Sequence, residues 1–343
     1  MHNTITLQNN RGLSVSLSPF GATWLSCKIP SSNTDTNNTD NQREILLGCH
    51  TDDLPKQNTY LGASVGRYAN RIANAQFNLN GTSYRLSANQ DNKHTLHGGA
   101  DNFSYRYWEV AEQSDTHVTF SLLSENGDQG FPAKLSVKIT YRLEGNSVII
   151  DYHADTNSDT ICALTNHAYF NLDGDTDTKK HTDMREQRLF IPSDTYLPID
   201  KEGIPCADVT DVTDTPFDFR QAKTISQDFA EVLKQAPTGG YDHSWYFGQR
   251  GTEKLMATLQ STDNHIELSV YSTQPALQVY TGNFLAGTPN RYGGVYENFA
   301  GIALETGCLP NSPNMPDFID DCLVSTDSPY QHRSRYVFNW VTE

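Results

Sequence analysis

Apolar and polar positions alternate with a period of two along most of the chain. In LSVSLSPF, Leu13, Val15 and Leu17 alternate with serines. That period sends successive side chains to opposite faces of a strand. The rhythm returns at Phe77 and Leu79, at Tyr84 and Leu86, at Leu135, Val137, Ile139 and Tyr141, and at Val148, Ile150 and Tyr152. It recurs in HIELSV (265–270) and RYVFNWV (335–341). Asn80-Gly81 separates two such runs and predicts a two-residue hairpin, because both residues tolerate positive φ. Glu144-Gly145-Asn146 predicts a second turn. Only TISQDFAEVLKQ (224–235) carries a helical stripe, Ile225, Phe229, Val232 and Leu233, with Thr224 or Ser226 as N-cap. Many short strands, loops rich in Gly, Asn and Asp, and little helix predict an all-β sandwich. Strand patterning resumes on both sides of the polar stretches 31–42 and 173–187. A single domain over 1–343 is therefore expected, with 31–42 an exposed, mobile loop.

Composition narrows the partners. Among 343 residues there are 41 Asp+Glu against 25 Lys+Arg, a net charge of −16. Such a chain repels phosphate backbones and anionic lipid, so neither nucleic acid nor a membrane surface is an expected partner. The six cysteines (27, 49, 162, 206, 308 and 322) are scattered without a Cys-x-x-Cys, which suits reduced thiols better than a disulfide framework or a zinc site. The first residues show no basic segment followed by an apolar one, and no apolar run approaches membrane length. A cytoplasmic location is the expectation.

The chemistry concentrates in a few stretches. In GIALETGCLPNSPN (301–314), read as a strand, Ile302 and Leu304 face one side and Gly301, Ala303, Glu305 and Gly307 the other. Glu305 thus shares its face with residues that leave space beside a carboxylate. In LTNHAYFNL (164–172), read as one strand, Thr165, His167, Tyr169 and Asn171 form a row of hydrogen-bonding groups. Sugars bind such surfaces, because hydroxyls need donors and acceptors and ring faces need aromatic platforms. The row could equally face solvent, as half of an antiparallel sheet often does. Further candidates are Arg67 and Arg71 in GRYANRI, His94 and His97 in HTLHGG, Asp242 and His243 in GGYDHSW, and Gln278 and Asn283 in LQVYTGN. Taken singly, each is more often a surface charge or a local hydrogen-bonding group than a functional one. No G-x-S-x-G elbow, P-loop, Rossmann fingerprint or His-Glu-x-x-His spacing is present. Gly98-Gly99 argues against a helix that would pair His94 with His97 on a metal.

Together, GRYANRI, the NGTSYRL hairpin, HTLHGG, TNHAYFNL, GGYDHSW, LQVYTGN and LETGCLPNSPN resemble the aldose 1-epimerase (galactose mutarotase) family, in family order from about residue 11 to 340. The resemblance implies an all-β, large antiparallel supersandwich with few short helices, no cofactor and no metal, acting on free hexose. By resemblance, Glu305 is a general base and His167 a general acid. His97, Arg71 and Asp242 hold the sugar, with Asn70 and Gln278 in support. The reaction implied is anomer interconversion of free aldohexoses by acid–base ring opening. The chain departs from many relatives at Asn311, where they carry Asp.

Three rivals remain at the level of sequence. A glycosidase could use Asp242 and Glu305 as its carboxylate pair. An epimerase of hexose 6-phosphates would want additional cations. A non-catalytic sugar-binding protein of the same fold would not need the acid or the base.

Overall fold

The computed structural model describes residues 4–30, 42–176, 183–235 and 238–341. Most of the predicted loop 31–42 therefore lies outside the described residues; Gln42 itself opens a strand, Gln42–Glu44. Every strand ladder among the described residues is antiparallel, and one isolated bridge, Tyr68 to Ala163, is parallel. Two large sheets dominate, one of nine strands and one of six. The all-β expectation holds.

The alternating runs become the long strands of the nine-stranded sheet. Leu135–Glu144 and Ser147–Thr156 pair residue for residue across the Gly145-Asn146 turn, and Tyr330–Trp340 joins their far side. The Asn80-Gly81 turn has φ of 51° and 78°, the left-handed pair that a two-residue hairpin needs. The helix is shorter than its stripe: it runs Phe229–Gln235, after the Lys223–Thr224 strand. Ile225 and Val232 are fully buried, but Leu233 is 50% exposed. Pairing of Lys223–Thr224 with the Arg188–Phe190 strand takes the first residues of the stripe away from helix.

The six-stranded sheet carries the chemistry. From its edge it runs Tyr169–Phe170, Ile302–Gly307, Ala276–Tyr280, Asp242–Tyr246, Thr195–Leu197 and Thr210–Asp211. One face of it, with Ile302, Leu304, Leu277, Val279 and Trp245, joins a hydrophobic cluster shared with Tyr141, Ile150 and Phe338 of the nine-stranded sheet. Burying that face between sheets leaves the alternate residues on the other face.

Candidate active site

Strand register builds the other face. Ser244, Gln278 and Glu305 are successive pairing partners, and one step along the pleat Asp242, Tyr280, Ala303 and Tyr169 form the neighbouring row. Side-chain bonds run along these rows. Ser244 Oγ donates to Gln278 Oε1, and Gln278 Nε2 donates to Asp242 Oδ1 at 2.5 Å. A carboxylate only accepts, so this chain fixes which way the Gln278 amide points. Gly301 and Gly307 flank Glu305 unequally. A side chain at Gly301 would meet Leu47 and Tyr169, whereas nothing lies within 4 Å of one at Gly307. The space beside the carboxylate is on the Gly307 side.

His167 arrives differently from the expectation. The stretch 164–172 is not one strand but two short ones, Thr165–Asn166 and Tyr169–Phe170, broken at His167-Ala168. Thr165–Asn166 pairs with Ser64–Val65, while Tyr169–Phe170 pairs with the Glu305 strand. His167 sits at the crossing, held by His167 N–H to Ala63 O and by Gly62 N–H to His167 O. Its Nε2 lies 3.5 Å from Glu305 Oε1.

His97 has φ of 52° and is held by a reciprocal backbone pairing with Asn70. His97 N–H donates to Asn70 O, and Asn70 N–H donates to His97 Nδ1 at 3.2 Å. With Nδ1 accepting, the neutral ring carries its hydrogen on Nε2. Gly98, at φ +93°, allows the contact between HTLHGG and GRYANRI: a Cβ there would lie 2.2 Å from Gly66 O. Arg71 takes its position from three acceptors: Nε donates to Gln90 Oε1 at 2.9 Å, Nη1 to Asn70 Oδ1 at 3.4 Å, and Nη1 stands 3.6 Å from Asp242 Oδ2. Gly203 closes over the guanidinium so tightly that a Cβ would meet Cζ at 2.7 Å. Asn311 also serves this segment, accepting from Ala73 N–H through Oδ1 and donating its own N–H to Arg71 O. Only the accepting oxygen is used toward Ala73, so an amide does there what a carboxylate would.

Burial grades inward. The side chains of Arg71 and Asp242 are each 16% exposed, those of His167 and Glu305 only 6% and 7%. Burial pulls His167 down from 6.5 to about 4, against the opposing pull of Asp242. It pushes Glu305 well above the usual carboxyl range; Asp242 adds to that and Arg71 opposes it. His97 is held well below its ordinary value by burial, with His167 and Arg71 adding to the effect. The arrangement thus places an imidazole that resists protonation beside a carboxyl that retains its proton.

Glu305, His167, His97, Asn70, Arg71, Asp242 and Gln278 therefore gather in one place. Other sequence candidates do not. Buried Arg67 donates to Pro132 O, Ala133 O and Ser124, a structural knot. His94 accepts from Asn74 N–H, and His243 accepts from Asp242 N–H and packs against Phe217. Asn283 donates to Thr238 O and Tyr241 O. Of the aromatic lining, periodicity signals Tyr169 alone; Tyr169, Tyr60 and Tyr280 have ring centroids 4.9, 6.0 and 6.3 Å from His167. Among the described residues no three His, Cys, Asp or Glu gather as a metal site, and all six cysteines are unpaired. No helix among the described residues is long and apolar enough to cross a membrane.

Comparison with known proteins identifies the family and the fold. The family model described as Aldose 1-epimerase matches residues 3–337. An aldose 1-epimerase of Haemophilus influenzae is 50% identical over 92% of this chain and 88% of its own. A galactose mutarotase of Sus scrofa is 34% identical over 86% of this chain and 84% of its own. A crystal structure of a GalM/aldose epimerase homologue from C. elegans superposes with a TM-score of 0.87 at 30% identity, covering 100% of both chains.

Proposed function

Because this chain belongs to the aldose 1-epimerase family, we propose that it interconverts the α and β anomers of free aldohexoses such as galactose and glucose, with Glu305 and His167 moving the protons. It is an isomerase-class enzyme. The observation that carries the assignment of roles is the buried His167–Glu305 pair, 3.5 Å apart.

Mutarotation opens the ring by removing a proton from the anomeric hydroxyl and adding one to the ring oxygen. Closure on the other face of the carbonyl reverses both steps. The pair gives one proton and takes one, so its total count stays fixed while the proton changes partner. Burial raises the proton affinity of Glu305 and lowers that of His167. The reacting form, carboxylate with imidazolium, is the minor tautomer of the one-proton pair. In it burial makes Glu305 the stronger base and His167 the stronger acid, each suited to its half of the exchange. The Nε2–H of His97 is a neutral donor suited to a ring or hydroxyl oxygen. Asp242, Arg71, Asn70 and Gln278 form a less buried rim that suits sugar hydroxyls.

Two further observations favour this reading over its rivals. Among the residues gathered here Arg71 is the sole cation, and Asp242, Gln90 and Asn70 already engage it. That favours free sugars over their 6-phosphates. Asp242 is engaged on both oxygens, by Gln278 and Arg71, rather than turned toward Glu305 as the second carboxylate of a glycosidase pair. The experiment is polarimetry on freshly dissolved α-D-galactose and α-D-glucose, with anomer exchange of the 6-phosphates followed beside them by NMR. Acceleration over the spontaneous rate is expected for the free sugars. No acceleration, or a preference for the phosphates, contradicts the reading.

A further inference from the structure

The strap from Gln57 to Ala63 crosses beside the acid–base pair and carries an unusual backbone. Tyr60 has φ of +57°. A bulky residue rarely adopts this conformation, and tyrosine lacks the short polar side chain with which Asn or Asp stabilises it locally. The stabilisation here comes from Gln57, itself buried. Its Oε1 accepts from Thr59 N–H at 2.9 Å, from the Thr59 hydroxyl at 3.0 Å and from Leu61 N–H at 3.3 Å. One side-chain oxygen thus straddles Tyr60, and Ala63 N–H donating to Tyr60 O closes the turn. Strain of this kind persists only where the surroundings over-determine it, and it concentrates at functional sites.

The ring that this backbone aims lies against both imidazoles. Tyr60 is 4.5 Å from His97, and it stacks on His167 at 6.0 Å and 26°. Its hydroxyl lies beside Tyr105 and Asn102. His167 needs such support, because its Nδ1 has no hydrogen-bond partner beyond its own backbone. Packing alone therefore sets its ring plane: Tyr60, Tyr169 at 4.9 Å, His97 edge-on at 5.4 Å and Tyr280 at 6.3 Å. The strap also supplies the backbone partners of His167 at Gly62 and Ala63, so ring and backbone are registered by one segment.

We propose that Tyr60 is a positioning residue for the acid–base pair, its ring aimed by the Gln57 side-chain oxygen so as to fix the planes of His167 and His97. This rests on the reading of His167 as the acid. The titratable groups facing His167 are Glu305, Asp242, His97, Tyr60, Tyr169 and Tyr280.

The test compares Tyr60→Phe, Tyr60→Leu and Gln57→Leu. Each is assayed for kcat and KM on a free hexose and by an NMR titration of the His167 imidazole, which needs no turnover. Misplacing a reacting group by about 1 Å costs up to ~10²-fold. Tyr60→Leu should lower kcat by about 10- to 100-fold with KM within about threefold, and Tyr60→Phe should recover kcat to within about threefold of wild type. In Tyr60→Leu the imidazole should titrate upward from about 4 toward its ordinary 6.5, as the ring loses its cover. Gln57→Leu touches neither imidazole and should move kcat and the titration in the same direction. If Tyr60→Leu does not fold, Gln57→Leu is judged by the same criteria. Wild-type kcat with an unmoved titration overturns the proposal, as does a lowered kcat with an unmoved titration. A wild-type protein without mutarotase activity would instead refute the functional reading, while the titration would still decide whether Tyr60 positions the ring.

Discussion

His167 Nε2 lies 3.5 Å from Glu305 Oε1, with both side chains nearly buried. The pair is assembled from a break between two short strands and from the middle of a fully buried one. Burial weakens the charged form of each, so the pair holds one proton between two neutral groups rather than existing as an ion pair.

That state predicts the pH dependence of the reaction. Activity requires one proton on the pair. An ordinary imidazole would impose an acid limb near 6.5, but His167 is pulled down to about 4. After correction for spontaneous mutarotation, kcat should stay level well below pH 6.5 and fall only near pH 4. An acid limb centred at 6.5 would show that His167 is not held in this depressed state.

The rim should behave differently from the floor. Asp242→Asn keeps an acceptor but loses the charge that engages Arg71 and Gln278. Hydrogen bonds to charged groups contribute about 1.5–3 kcal/mol, so KM should rise by roughly 10- to 100-fold with a smaller fall in kcat. Steady-state kinetics on one free hexose checks this. A collapse of kcat at unchanged KM would move Asp242 from holding hydroxyls to the chemistry.

Buried histidines also tie stability to pH. His167 and His243 are depressed to about 4 and His332 to about 3, all by burial. In the unfolded chain each takes up a proton near 6.5, while the folded chain does not. Their contribution is complete above pH 6.5 and declines as pH falls toward 4, by about 1.4 kcal/mol per pH unit for each histidine. Glu305, raised in the fold, works in the opposite direction, losing stability as pH rises from its ordinary value. His97 is depressed as well, and Asp175 and Asp321 are raised by burial like Glu305. The four histidines outweigh the three carboxyls, so the urea midpoint should be clearly lower at pH 5 than at pH 7. An unchanged midpoint would contradict the neutral burial of these rings.

The fold was legible where its causes are local. Asn80-Gly81 declares its hairpin because two adjacent residues supply the required φ angles. The row through Glu305 could be read from strand period alone, since its neighbours Ile302 and Leu304 do enter the core. The break at His167 could not. Alternation continues through NHAYFNL, and only pairing with Ser64–Val65 on one side and the Glu305 strand on the other divides it. Leu233 fits a helical stripe and lies within the helix, yet it emerges 50% exposed, while Ile225 of the same stripe is buried ahead of the helix. Tyr60 left no trace in the sequence, since a tyrosine at positive φ breaks the usual preference and the imidazoles its ring meets are brought to it only by the fold. Arg67 shows the converse: a conspicuous charge whose every contact is structural.

The most direct test of the account is kcat for mutarotation by Glu305→Gln, measured by polarimetry with sugar binding measured separately. The substitution keeps the shape of the side chain and removes its capacity to take a proton. Loss of a general base typically costs ~10²–10⁴ in rate. The account predicts a fall in kcat of that size with sugar affinity largely retained. A variant that turns over at near wild-type kcat would contradict it, because the proton from the anomeric hydroxyl would then be going elsewhere.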